Sequence, residues 1–356
     1  MKLNTRYYIG YSKDSTLRYK STSGGIGSSI QKYLLSTRQY GTSITFVFDS
    51  LRCQYEPKII YSEKDINVCG SIYQDINIFT FIKSHLAEIR DGIVISCPPC
   101  QVRPISHLLK RSNIPCFIIS FCCSGQTTIE GTWCYYRFLG INKNDIVNMQ
   151  YRGNGWPSGI QIELKNGDSF FYPNYTDPWK LIHETAFFQP KRCFYCTFDT
   201  SYEADVSIAD PWLKEYKEND RIGCTMFLTN TDLGNEILYQ MKENDWVEFS
   251  DTDRSSYEIA QKPNVEKKNR VLNQRKYIDV IVTLVENPVT KSLLSKSMTG
   301  MKFFHKVRKF LFYMYVPTKR STILNKIKNK IGCKLRYLRY KSKIGSHKGI
   351  FKIWGG

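Results

Sequence analysis

Short apolar runs bounded by Gly, Pro, Asn or Ser recur through the first 250 residues. RYYIGYS (6–12), TSITFVF (42–48), PKIIYS (57–62), GIVIS (92–96) and PCFIIS (115–120) predict strands. Apolar positions in INIFTFIKSHLAEI (76–89) return at helical spacing, and further helices are expected from the STSGG turn (21–25) to about 36, from about Gln101, and over 128–140. The segments IVNMQY, GIQIEL and SFFYP read as short strands, with Asn166 and Gly167 forming a tight hairpin turn. TMFLT (225–229), a helix near 231–241 and WVEFS (246–250) close the pattern. Strand, helix, strand around 92–120 is the order of a parallel α/β layer, so an α/β fold is expected, with a mixed, largely parallel sheet and flanking helices. The polar stretch 251–269 reads as a linker, 251–300 as linker and helix, and 301–356 as a basic amphipathic helical tail. There is no internal repeat.

A chain of 356 residues, 42% hydrophobic and 14% aromatic, has ample material for a core. It holds no run of about 18 apolar residues, and MKLNTRYYIGYSKD lacks the apolar stretch and cleavage site of a signal peptide, which points to the cytoplasm. The net charge of +19 invites a nucleic-acid reading until its location is considered. Residues 1–265 carry 28 Lys/Arg against 29 Asp/Glu, 266–300 carry 7 against 3, and 301–356 carry 16 against none. The body is neutral and the tail is basic, whereas a nucleic-acid enzyme shows its electrostatic footprint on the folded domain. No specific nucleic acid is expected as a partner.

Twelve cysteines in a reducing compartment argue against a disulfide framework. Six stand in a suggestive order: Cys97 and Cys100 after one strand, Cys122 and Cys123 after the next, then Cys193 and Cys196. Adjacent parallel strands place their carboxyl ends side by side, where open α/β sheets bind ligands. Four thiolates converging there suit a cubane cluster or tetrahedral zinc. The two pairs of a closed zinc ribbon stand closer in sequence than these. CPPC between strand and helix also fits a dithiol redox site, and buried inert thiols remain a plain alternative.

CPPCQVRPISHLLK resembles the GTPCQ-and-helix segment of the coenzyme F-420 hydrogenase/dehydrogenase beta-subunit family, and FCCSG stands where that family has its Cys-His-Gly segment. YRGNGWPSGIQIEL, RCFYCTFDTSYEADVSIADPW, LRYKSTSGGIGSSI and VCGSIY are similar to further family elements, in consistent order from about residue 6 to 250. The resemblance implies a flavin and iron–sulfur protein. Family cysteines carry over to Cys100, Cys123, Cys193 and Cys196 as ligands of a 4Fe-4S cluster, with Cys97 or Cys122 as substitutes. The turn Ser21, Ser23, Gly24, Gly25 opening a helix, with Lys20 adding charge, is the expected cradle for the pyrophosphate of FAD, or the phosphate of FMN. Asp210, near Trp212, is expected to orient the cofactor; the plain alternatives are a helix cap and a loop-capping Asp.

Departures from the family pattern bear on function. No ferredoxin-like cysteine run precedes the domain, so a separate electron-donor protein such as a ferredoxin is expected. Ser124 replaces the family histidine, and ADPW replaces GDFW. Short members with basic tails resemble those associated with bacterial surface-polysaccharide synthesis, which implies a small-molecule or saccharide-linked substrate. The alternative is a redox-inert protein binding a sugar-nucleotide or a glycosyltransferase partner, marked by cysteines too far apart to share a metal. The tail, with cations among Phe, Leu, Ile and Tyr, suits the anionic inner face of the cell membrane.

Overall fold

The computed structural model describes residues 5–315. Eleven strands are described: β1 (Arg6–Ser12), β2 (Thr42–Asp49), β3 (Gln54–Ile60), β4 (Ile93–Cys97), β5 (Cys116–Phe121), β6 (Ile146–Gln150), β7 (Gly159–Leu164), β8 (Ser169–Pro173), β9 (Val206–Ala209), β10 (Thr225–Thr229) and β11 (Val247–Thr252). Eight of them form one sheet in the order β11-β1-β10-β9-β5-β4-β2-β3, and β6-β7-β8 form a second, antiparallel sheet. In the large sheet β2, β4, β5 and β9 pair in parallel, while β3, β10 and β11 run the opposite way. The α/β expectation holds, and the carboxyl ends of β1, β2, β4, β5 and β9 share one edge.

β5 reads CFIISF because it is covered on both faces, so no polar alternation is needed. Phe117 and Ile119 pack on Ile26, Ile30 and Leu34 of the helix Ile26–Ser36, while Ile118, with Ile93 and Ile95, packs on Ile78, Ile82, Val102 and Ile105 from the other side. The helix expected over 76–89 stops earlier. Ile78–Ser84 is helical, and a 3₁₀ turn at Leu86–Glu88 follows. Asn166 and Gly167 turn β7 into β8 as expected, with Gly167 at φ +91°.

The polar stretch read as a linker is corrected. Arg254–Asn273 is a continuous helix, N-capped by Asp253, whose carboxylate accepts from Ser256 N at 2.7 Å. Its Tyr257 and Ala260 join Ile9, Ala209, Met226 and Leu228 in one apolar cluster, so the segment packs on the sheet. Polar residues fill the rest of its inner side, which is why hydrophobic spacing concealed it: Gln261 and Lys268 are buried. Helices Arg275–Glu286, Pro288–Leu294 and Met298–Tyr315 follow. The last inserts Met301 and Phe304 into the core, and its Arg308 donates to the carbonyls of Glu184 and Thr185 at the end of helix Trp179–Thr185. A cation placed there satisfies carbonyls left without intrahelical partners. The remainder of the expected tail, 316–356, lies outside the described residues. Among the described residues no helix is long and apolar enough to cross a membrane.

Candidate cofactor site

The chain turns that leave the common sheet edge enclose a cavity of about 1090 Å³. One wall is the turn after β1 and the start of helix Ile26–Ser36, represented by Ser21, Thr22, Ser23, Gly25 and Ser28; another is the turn after β5, Cys122 to Gln126. Asp210 and Trp212 after β9 and the inner side of helix Arg254–Asn273 complete it. The size suits a ligand larger than a metabolite fragment.

Of the residues expected to cradle a phosphate, Ser21, Ser23, Gly25 and Asp210 line the cavity, whereas Lys20 and Gly24 do not. Lys20 is exposed. Gly24 serves the fold: its N–H donates to Thr225 Oγ1 at 2.8 Å, and a Cβ there would come within 2.5 Å of Gly10 O and Thr225 N. Gly25 caps the helix at φ +80°, a conformation L side chains rarely adopt, and an added Cβ would meet Leu17, Ser12 and Ser21 rather than open space. Its role is to bring the first amides of the helix to the cavity, where they lack intrahelical partners.

Asp210 has a different partner from the one expected. Its carboxylate forms a two-pronged ion pair with Arg152, Nη1 to Oδ2 at 2.7 Å and Nη2 to Oδ1 at 3.3 Å, and accepts from Trp156 Nε1 at 3.2 Å. Arg152 Nη2 also reaches Thr22 O at 3.4 Å, so the pair ties the β9 turn to the phosphate-side turn. Trp212 packs against Trp156, ring centroids 4.9 Å apart. Arg152 lies in the glycine-rich segment YRGNGWPSG, and its role as the buried cation of the site was missed from sequence. The signal was present only as a lone Arg between glycines. Two polar atoms of the lining residues are buried without a protein partner, Ser21 Oγ and Arg152 Nε.

The cysteines divide into two groups. Cys100, at the start of helix Pro99–Arg111, hydrogen-bonds with Cys196, and Cys123 and Cys193 lie within electrostatic reach of both. Cys193 sits in the short helix Lys191–Phe194, which brings the later pair to the strand ends. Cys97 instead fills the apolar layer below, and burial pushes its thiol up. Cys122 accepts from Asn264 Nδ2 at 3.3 Å and is pushed up to about 12 by burial. Neither belongs to the quartet. Within it, the bond with Cys100 pulls the Cys196 thiol toward thiolate, helped by Lys268, while the same bond raises Cys100. Lys268 is 3% exposed, and the groups it faces are Cys123, Cys193 and Cys196. Backbone N–H groups of Gly125 and Gln126 donate to Cys123 and Cys193.

Among the described residues no group of three or more His, Cys, Asp or Glu is gathered tightly enough to hold a single metal ion. A cubane binds each thiolate at a different iron, so a looser all-sulfur quartet with a cation and amide donors fits a cluster better than tetrahedral zinc. Beside the quartet, Lys267 Nζ donates to Ser124 O and to Gln189 Oε1, and burial together with Arg308 holds its pKa down at about 7. His183, between Tyr73 and Trp179, is held neutral by burial, at about 4.

An α/β sheet with a cavity at its strand ends and a cysteine quartet in the adjoining turns has a known counterpart. Residues 91–255 of the chain belong to the family described as coenzyme F420 hydrogenase/dehydrogenase, C terminus of the beta subunit. Among solved structures, a chain of the F420-reducing [NiFe] hydrogenase complex from Methanosarcina barkeri superposes with a TM-score of 0.58 and 16% sequence identity, covering 76% of this chain and 92% of that one. At that identity the likeness concerns the fold. No curated protein matches by sequence.

Proposed function

We propose that this chain is a flavin- and iron–sulfur-dependent oxidoreductase related to the F420 hydrogenase/dehydrogenase beta subunits. The observation that carries the reading is the continuity of the site: one cavity reaches from the Ser21–Ser28 turn to Cys123, a member of the thiol quartet. A flavin bound there would exchange a hydride with an organic substrate, and a 4Fe-4S cluster on Cys100, Cys123, Cys193 and Cys196 would carry single electrons.

The chain's own groups divide the remaining work. The amides opening helix Ile26–Ser36, with the unpartnered Ser21 hydroxyl, bind anionic oxygens of the cofactor tail. Arg152 adds positive charge at the same wall, and Asp210 holds its guanidinium in place from behind. Lys268 offsets the negative charge of thiolate ligands in a low-dielectric setting. Tyr73, Trp179 and Trp212 supply flat apolar walls that exclude water. A redox-inert binding protein would leave the cysteines apart, and the bond between Cys100 and Cys196 speaks against that alternative. A separate protein such as a ferredoxin supplies or removes electrons in this proposal.

Anaerobic purification and reconstitution, followed by iron, sulfide and flavin determination, tests it. Near-stoichiometric flavin with about four irons per chain is expected for a 4Fe-4S protein. Absence of both iron and flavin after reconstitution of folded protein would remove the proposal.

A further inference from the structure

The helices beyond the family segment carry a second feature that the redox site does not use. In helix Met298–Tyr315 the exposed residues are Lys302, Phe303, Lys306, Lys309, Phe310 and Tyr315, and the first five recur at the spacing of one helical face. The opposite side is committed to the core through Met301, Phe304 and Arg308. The neighbouring helix Pro288–Leu294 exposes Val289 and Leu293, one turn apart, and Lys296 follows. Val289, Leu293, Phe303 and Phe310 are 65%, 61%, 57% and 54% exposed, far more than an apolar side chain needs when its helix merely covers a core. From Asn287 to Tyr315 the sequence contains no acidic residue. Lys302 stands 3.7 Å from Asp177, and among the described residues no carboxylate lies within ion-pair distance of Lys296, Lys306 or Lys309.

We propose that this face seats the protein on an anionic lipid surface, with Phe303, Phe310, Val289 and Leu293 entering the headgroup boundary and Lys296, Lys306 and Lys309 facing lipid phosphates. Large apolar groups flanked by lysine on a convex helix are the composition of an interfacial helix. A second copy of the chain would bring the same lysines against one another, which like-charge repulsion opposes. Nucleic acid favours a basic groove with stacking rings, whereas Val289 and Leu293 offer a base nothing to stack on. The proposal is independent of the cofactors.

The test uses the full chain at near-physiological salt with vesicles of phosphatidylcholine alone or with 30 mol% phosphatidylglycerol, roughly the anionic content of a charged leaflet. The wild type is expected to sediment with the anionic vesicles and not with the neutral ones. Phe303→Ser/Phe310→Ser and Lys306→Gln/Lys309→Gln are each expected to lower partitioning about tenfold or more. Both pairs are exposed, and unchanged thermal unfolding verifies that the fold is kept. A single Phe303→Trp reports insertion directly, through a blue shift of emission on anionic vesicles. Wild-type-like binding by the double variants, failure of the wild type to bind, or tighter binding to single-stranded nucleic acid than to vesicles would each overturn the proposal.

Discussion

At the scale of single residues, the site depends on charges that only folding brings together. Arg152 and Asp210 have side chains 4% and 14% exposed, so each would be an uncompensated charge without the other. Asp210→Asn should therefore cost about 3–5 kcal/mol of stability, because it strands a buried guanidinium. The check is urea unfolding with an unchanged slope, and a midpoint equal to wild type would show that the pair is not structural. His183 makes a pH-dependent contribution of known sign. The unfolded histidine titrates near 6.5, whereas the folded ring stays neutral down to about 4. Between those values the unfolded chain holds the extra proton, so stability falls as pH drops through that window, by up to about 3 kcal/mol. His183→Gln should flatten this loss, seen in unfolding midpoints compared at pH 7 and pH 4.5; an identical slope in both proteins would contradict the assignment.

At the scale of elements, legibility followed from whether an element buries apolar or polar groups. β4 and β5 were readable within a residue because a strand covered on both faces must be a continuous apolar run. Cys100 and Cys123 were readable for the same reason, since a thiol directly after such a strand stands at the sheet's carboxyl edge. The helix Arg254–Asn273 was not readable, because Gln261 and Lys268 occupy its inner side and Pro263 interrupts its pattern. Gln261 Nε2 bonds Asp210 O at 2.6 Å, a contact that makes a buried amide favourable only once β9 is in place. Arg152 was equally hidden, its partner lying 58 residues away. The helix depends on its cap, so Asp253→Ala should cost about 1 kcal/mol and speed amide exchange across 254–273 before the strands are affected. Exchange unchanged in that segment would show that packing alone holds it.

At the scale of the whole molecule, a sheet edge gathers the site and helices largely beyond the family segment roof it. Residues 91–255 supply Cys100, Cys123, Cys193, Cys196, Arg152 and Asp210, while Lys267 and Lys268 come from the roofing helix Arg254–Asn273. The cations beside the quartet are thus carried on an element outside the matched segment, and the same C-terminal helices turn a basic, apolar face outward. The central claim is that the four converging cysteines hold a redox cluster and that the two set aside do not. It is tested most directly by electron paramagnetic resonance of the dithionite-reduced, anaerobically reconstituted protein, comparing wild type with Cys193→Ser and Cys97→Ser. Wild type and Cys97→Ser should give the same reduced-cluster signal, and Cys193→Ser should lose or alter it while remaining folded. A signal unchanged by Cys193→Ser, or its absence from reconstituted wild type, would contradict the claim.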